Sequence, residues 1–257
     1  MSQSLRVVTW NVLAEIFFRK YAAHYPGIVL DADTRRARVV EEVVRFAAEA
    51  DVIVLQEVDA DLVAALAAAG VRAGFVPRAP GKPDGLAWWT AAHVEPLRVS
   101  AARFATTNRR GERLARSWVR LDLTADATRV AIVGTHLDPD LGEALGAAQA
   151  NEILALLAEG PSDVAVVLGD LNGDAHETAC QTLAAHGFHA AGPADGRAPA
   201  TAVLHDGTEW RPRVLDAILV RGANAVLDAI PLPSAPIPSP AHPSDHLPLR
   251  ATLTLGR

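Results

Sequence analysis

The run Val164-Ala-Val-Val-Leu-Gly-Asp-Leu-Asn-Gly-Asp174 decides how the rest of the chain is read. Val164 to Leu168 are all apolar and β-favouring, the pattern of a strand buried on both faces. The strand runs straight into Gly169, Asp170, Leu171, Asn172 and Gly173. A carboxylate and a carboxamide two residues apart therefore emerge where the chain leaves the core, between glycines that permit tight turns and close approach by a ligand. A plain turn also uses Asp and Asn, so the segment alone does not decide between the two. Four other apolar strand candidates end in the same style, at Asn11, Glu57, His136 and Asp216, and Ser244-Asp245-His246 precedes the final strand.

Outward from that stretch, strands and helices interleave. Leu5–Trp10 reads as the first strand, ending at Asn11; Phe17 to Asp33, which contains Pro26-Gly27, reads as a loop with a short helical piece. Thr34 is placed to cap a helix reaching Ala50, because Val39, Val40, Val43, Val44 and Ala47 recur at helical spacing. Asp51–Val58 is a strand ending in Gln56-Glu57, and Asp61–Ala69 a short helix closed by Gly70. Gly85–Thr90, Ser117–Leu123 and Val130–Gly134 are further strands, the last continuing through Thr135-His136-Leu137. Leu141–Ala158 and Glu177–Ala185 read as helices, Ala190–Gly207 as a Gly/Pro-rich loop, and Arg213–Val220 as an apolar strand with Asp216 inside it. Pro231–Pro243 is proline-dense and reads as an irregular loop, since ordered sequence resumes at SDHLPLRATLTL. This order implies an α/β architecture with more than one sheet.

Composition narrows the function classes. The 257 residues, half of them hydrophobic, suffice for one large core and argue against disorder. No apolar run approaches the roughly 20 residues that span a bilayer. The start carries no secretory signature, and the lone Cys180 forms no internal disulfide, so an intracellular, cytoplasmic setting without membrane contact is expected. The formal charge of −6 argues against a protein that coats nucleic acid. Between Arg98 and Arg120, however, seven arginines (98, 103, 109, 110, 113, 116, 120) face one acid, Glu112, a local +6 that leaves −12 elsewhere. A basic edge beside an acidic pocket suits a phosphate-backbone substrate; a solvated arginine-rich loop is the alternative. Trp88, Trp89 and Trp118 in the flanking strands read as core rather than as base-stacking platforms.

The strand-end residues form one chemical set: Asn11, Glu57, His136, Asp170, Asn172, Asp216, Asp245 and His246. Oxygen-rich donors without cysteine select Mg²⁺ or Mn²⁺ over zinc. The GxxxxGK[ST], GxSxG and HExxH patterns are absent. Histidines and a hard cation facing one anionic centre fit phosphoester hydrolysis, where catalysis is mainly positioning and charge neutralisation.

Six motifs in order carry a family resemblance: TWN at Thr9–Asn11, LQEV at Leu55–Val58, THL at Thr135–Leu137, GDLN at Gly169–Asn172, LDAILV at Leu215–Val220 and SDH at Ser244–His246. The chain resembles the endonuclease/exonuclease/phosphatase superfamily with the DNase I-like fold. The histidine of THL makes it most similar to the CCR4/nocturnin-type branch. Ala217 stands where that family commonly has Tyr or Arg.

The resemblance implies a four-layer α/β sandwich, two packed mixed sheets flanked by helices, in one domain over residues 1–257. It further implies that Glu57 and Asn11 hold a divalent ion with help from Asp245, and that Asp170, a possible further ligand, orients or deprotonates the attacking water. Asn172 would position water and phosphate, His246 would contact the scissile phosphate with Asp216 fixing its state, and His136 would donate to a non-bridging oxygen. Arg113 and Arg116 are candidates for flanking phosphates. The expected activity is metal-dependent phosphodiester hydrolysis on nucleic acid, RNA 3′ ends foremost. A phosphatase or phosphodiesterase of a nucleotide or phosphorylated cofactor is the rival, since the fold hosts both. A monomer is expected. The chain starts almost at its first strand and stops just after its last, as one domain of a longer protein would.

Overall fold

The computed structural model describes residues 3–25, 30–94, 96–108, 110–125, 127–139, 142–173, 178–193, 199–205, 209–229, 231–233 and 237–256. Pro26-Gly27, Arg109, Leu141, Asp174 and Glu177, all used in the sequence reading, lie outside these residues. The first half runs β1 (Gln3–Asn11), α1 (Glu15–His24), α2 (Ala32–Glu49), β2 (Val52–Asp59), α3 (Ala60–Ala68), β3 (Gly74–Pro77) and β4 (Asp84–Thr90). Next come β5 (Arg98–Arg103), β6 (Ser117–Ala125), β7 (Thr128–His136), α4 (Gly142–Ala158), β8 (Val164–Asp170) and α5 (Thr178–Ala185). Short strands β9 (His189–Ala190), β10 (Gly192–Pro193), β11 (Ala202–His205) and β12 (Trp210–Arg213) lead to β13 (Asp216–Arg221), β14 (Asn224–Leu227) and β15 (Leu249–Leu255).

Two mixed sheets result, β10-β14-β15-β1-β2-β4-β3 and β5-β6-β7-β8-β13-β9, with β11-β12 as a separate hairpin. Their inner faces meet through Val7, Val52 and Val54 on one side and Val119, Ile132, Val166 and Ile218 on the other. The outer face of the first sheet (Val8, Trp10, Ile53, Leu55) is covered by Val39, Val43 and Phe46 of α2 and Leu62 and Leu66 of α3. The outer face of the second (Val133, Val167, Leu219) is covered by Ile153 and Leu157 of α4 and Leu183 of α5. This is the expected α/β four-layer sandwich. Alternation explains it: odd and even positions of each central strand serve opposite faces, and both faces are buried. Gly134 marks how closely the sheets approach, because a Cβ there would lie 2.6 Å from Val54 Cγ1.

Several local expectations shift. The described residues of 17–33 hold more helix than a short piece, because α1 buries Phe18 against Leu13 beneath a layer of Tyr21, Tyr25 and Trp210. The cap of α2 is Asp31, whose carboxylate accepts from Thr34 N at 2.9 Å; Thr34 is the third helical residue. Asp59 caps α3 likewise. Asp216 opens β13 rather than lying inside it, since Trp210–Arg213 pairs with β11. The expected loop over 190–207 contains β10 and β11 among its described residues. Trp88, Trp89 and Trp118 pack against the three main cores. Among the described residues no helix is long and apolar enough to cross a membrane.

Candidate active site

Register places the chemistry. β7, β8 and β13 lie side by side, and the Cα pairings His136↔Asp170 and Asp216↔Asp170 set three polar residues abreast at the edge of the second sheet. In the first sheet β1 and β2 are parallel with Asn11 opposite Gln56, so Glu57 follows at the same edge. The register shifts between Gln56 and Val58 against β4, a bulge that turns Glu57 out of the strand's alternation. Glu57 (φ 57°), Leu13 (φ 57°) and Asn172 (φ 52°) all adopt left-handed backbone, a conformation that costs a non-glycine residue about 1–3 kcal/mol. All three flank the strand-end residues, Leu13 N and Asn172 N bonding to Asn11 and Asp170. Gly169 (φ 142°) is obligatory, because a Cβ would fall 1.9 Å from Thr135 O.

The side chains then close the circuit. Asn11 Nδ2 donates to Glu57 Oε1 at 3.1 Å and to Asp170 Oδ2 at 2.9 Å, while its Oδ1 accepts from Leu13 N at 3.0 Å. Ala14 N donates to Glu57 Oε2, and Asn172 N to Asp170 Oδ1. Asn172 Nδ2 donates to Leu137 O at 2.8 Å. His246 Nδ1 lies 2.8 Å from Asp216 Oδ2, and its Nε2 lies 3.7 Å from Asp170 Oδ2, with His136 Nε2 3.4 Å from the same oxygen. Asp245 reaches the group electrostatically, raising the Glu57 carboxyl. Asn11, Glu57, His136, Asp170, Asp216 and His246 thus form one cluster of contacting side chains.

Burial sets the protonation states. It pushes Glu57 up to about 7, reinforced by Asp245, and Asp170 up to about 6 against the pull of His246. Burial also raises Asp245. His246 is opposed by burial, yet Asp216, Asp170 and Asp245 together lift it well above 6.5, so it is an imidazolium at neutral pH. His136 goes the other way: burial, then the charges of Arg116, His246 and Arg78, keep it neutral. Two histidines on one cleft thus take opposite charge states.

Raised carboxylates packed together signal a deficit of positive charge, which fits a divalent cation held by hard oxygens. Asp170, Asp216 and His246 offer ligand atoms within 4.8 Å of one another. In that trio the imidazolium is already bonded to Asp216 and has no lone pair free for a metal. The carboxylate oxygens of Glu57 and Asp245 fit a cation better, whereas Asn11 turns its Nδ2 donor toward Glu57 and Asp170 and its Oδ1 toward Leu13 N.

The two arginine candidates separate. Arg116 is 8% exposed, feels Glu57 and Asp170, and among the described residues meets one acid, Asp138, at 3.9 Å. Arg113 donates to Phe104 O and Arg103 O, so its guanidinium staples the β5–β6 connection and is not brought to the cleft. Sequence reading passed over the residues that hold the constellation. Thr201 Oγ1 accepts from Leu215 N and Asp216 N at 2.9 Å. Ser244 Oγ donates to Asn11 O at 2.7 Å and accepts from His246 N at 3.1 Å. Trp10 Nε1 donates to His246 O, and buried Arg35 donates to Val12 O and Pro243 O. Arg35 had a signal: it shares the inner-face spacing of Val39, Val43 and Phe46 on α2.

The profile of the Endonuclease/Exonuclease/phosphatase family matches residues 8–246. The chain belongs to this family. Its members are phosphoesterases, typically dependent on a divalent metal, and phosphodiesterase- or nuclease-type activity follows as the class for this chain. No curated protein matches the sequence significantly. Among solved structures, ANGEL2, a 2′,3′-cyclic phosphatase, superposes with a TM-score of 0.78 at 19% identity, over 99% of this chain and 96% of that one. The human Nocturnin catalytic domain with bound sulfate gives 0.74 at 20%, over 99% and 94%. D. rerio TDP2, complexed with single-strand DNA product, gives 0.70 at 17%, over 98% and 99%. At these identities the likeness is one of fold, and it includes a member of the nocturnin branch that the histidine of THL points to.

Proposed function

We propose that this protein is a divalent-metal-dependent phosphodiester hydrolase whose substrate is nucleic acid, RNA 3′ ends foremost, with residues 1–257 acting as one catalytic domain. The observation that carries the reading is the row His136–Asp170–Asp216, with His246 bonded to Asp216 and Glu57–Asn11 facing it. Glu57, oriented by Asn11, and Asp245 would hold Mg²⁺ or Mn²⁺, which would neutralise charge on the phosphoryl oxygens. Asp170 orients the attacking water and accepts its proton, a role suited to a carboxyl near 6. Asn172 holds the Asp170 turn and faces the phosphate. His246, kept charged by Asp216, bonds a phosphoryl oxygen, and neutral His136 donates to another as charge builds up in the transition state. Arg116 binds a phosphoryl oxygen from the β6 side.

A phosphorylated small molecule is the second reading. Its support is the fate of the arginine-rich segment: Arg98, Arg103, Arg113 and Arg120 are already bonded to acids or carbonyls of the chain itself, which leaves few guanidiniums free for a long strand. A panel tests both: labelled RNA and DNA oligomers ending in 3′-OH, 3′-phosphate or 2′,3′-cyclic phosphate, beside mononucleotides and dinucleotide cofactors, each with Mg²⁺ and Mn²⁺. Shortening of RNA is expected. Inorganic phosphate released from small molecules alone would replace the first reading with the second, and inertness toward every compound would overturn both.

A further inference from the structure

The His246–Asp216 pair is assembled from two bodies. Asp216 opens β13, whose ladder with β8 fixes it to the second sheet. The Ser244–His246 turn belongs to the first sheet. Trp10 Nε1 donates to His246 O at 2.9 Å, Ser244 Oγ donates to Asn11 O at 2.7 Å, and the chain runs on into β15. The 2.8 Å separation of His246 Nδ1 from Asp216 Oδ2 therefore depends on how the two edges are joined. Thr201 joins them. Its Oγ1 accepts from Leu215 N and Asp216 N, both at 2.9 Å, and its carbonyl accepts at 2.7 Å from Leu247 N, one residue past His246. Its own N donates to Arg213 O at 2.8 Å, at the end of the strand that leads to Asp216. The next two residues continue the seam: Ala202 bridges His246, and Val203 N donates to Asp245 O at 2.9 Å. Thr201 is 1% exposed, so bulk water does not replace these bonds. The far end of the β11–β12 hairpin is pinned on α1, where the Tyr25 ring lies 4.3 Å from His205 and 5.5 Å from Trp210. A strand fixed at its tip and bonded along both edges makes a stiff spacer.

We infer that Thr201 is a positioning residue that sets the distance and angle of the His246–Asp216 pair, holding Asp216 through its hydroxyl and the His246 turn through its carbonyl. This rests on the phosphoesterase reading for its kinetic consequence and deepens it: a residue that touches no substrate governs turnover. The hydroxyl oxygen takes two N–H groups at once, which fixes the backbone of Asp216 and so the origin of its short side chain. Serine supplies the same oxygen, and valine, equal in shape, supplies none. A reacting group displaced by about 1 Å costs about a hundredfold in rate, so a small drift across this seam is enough to matter.

The competing explanation is that Thr201 only stabilises the fold. Kinetics in two backgrounds separate the ideas. Thr201→Val is expected to lower kcat by about ten- to a hundredfold with KM within about twofold, and Thr201→Ser to stay within about threefold of wild type. In an Asp216→Asn background the same Thr201→Val change costs less than about twofold, because the geometry it sets has already lost its use. Thr201→Ala, whose smaller side chain admits a water to the two N–H groups, guards against failure to fold and behaves as Thr201→Val. A second readout needs no substrate: the low-field proton resonance of the hydrogen-bonded His246 imidazole N–H, assigned by its loss in His246→Ala. It is retained in Thr201→Ser and moves upfield in Thr201→Val and Thr201→Ala. Wild-type kcat in folded Thr201→Val, equal fold-losses in the two backgrounds, or a resonance unchanged by every Thr201 substitution overturns the positioning role. Wild-type protein inert toward every phosphoester overturns the phosphoesterase reading instead, and the resonance then decides the role of Thr201 alone.

Discussion

The strand-end acids and the arginine-rich segment 98–120 look equally promising as sequence, and the fold treats them in opposite ways. Asp170, Asp216 and His136 are set abreast by ladder register, so their charges accumulate at one point. The arginines are dispersed. Arg98 pairs with Glu159 at 2.9 Å, Arg103 donates to Arg113 O and Leu114 O, and Arg113 donates to Phe104 O and Arg103 O. Arg120 bonds Asp122 and Leu156 O from inside the protein, and Arg116, buried, is the one of the described set that feels the charges of Glu57 and Asp170. Charge counted along a segment says little about where guanidiniums point, whereas a polar residue ending a buried strand must emerge beside its neighbours.

Variants sharpen that contrast. The largest effect is expected in the row itself: His246→Ala lowers kcat by about 10²–10⁴-fold. Because His246 and Asp216 act as one unit, adding Asp216→Asn costs little more. Multiplicative losses in the double variant would show the two working independently. Glu57→Ala is expected to raise the Mg²⁺ concentration for half-maximal rate by about a hundredfold or more, and an unaltered metal titration would remove Glu57 from the ligand set. In the arginine segment, Arg116→Ala costs about ten- to a hundredfold in kcat/KM. Arg113→Ala keeps the rate within about twofold and lowers Tm by a few degrees, since it loses bonds to carbonyls and not to substrate. Equal kinetic losses from the two would erase the distinction drawn between them.

The smallest effect is thermodynamic. In metal-free protein Asp170, moved from 3.8 to about 6, and Glu57, moved from 4.5 to about 7, keep protons that the unfolded chain releases. Their share of stability is therefore present below the unfolded values and lost as pH climbs to about 7. His246, raised well above 6.5, acts in the same direction, its share lost as pH rises through its folded value. His136, depressed by burial and Arg116, opposes them, its penalty fading as pH rises toward 6.5. A cation needs ionised carboxylates, so Mg²⁺ in hundredfold excess over its Kd should raise Tm by about 5 °C or more at pH 8 and by much less at pH 5. A metal effect of equal size at both pH values would contradict the raised carboxylates.

Much of this was legible in the sequence. Long apolar strands such as Val164–Leu168 announce themselves because both faces are buried, and their polar ends name the site. The short strands β3, β5 and β14 were not legible, since half-exposed or mixed residues there follow their neighbours rather than any period of their own. The break between β12 and β13 was hidden because Val214 and Leu215 extend the apolar run. Positioning groups such as Thr201 and Arg35 act through backbone atoms brought near only by the fold.

Asp170 gathers contacts from four residues of the site: Asn11, Asn172, His136 and His246 all reach its carboxylate. The rate of Asp170→Asn at saturating Mg²⁺, on whichever phosphoester the wild-type chain cleaves fastest, is the most direct test. A fall of about 10³-fold or more, with Tm unchanged or higher because a buried carboxylate has gone, is the predicted result. A purified, folded Asp170→Asn protein that turns over at near wild-type rate would contradict the account.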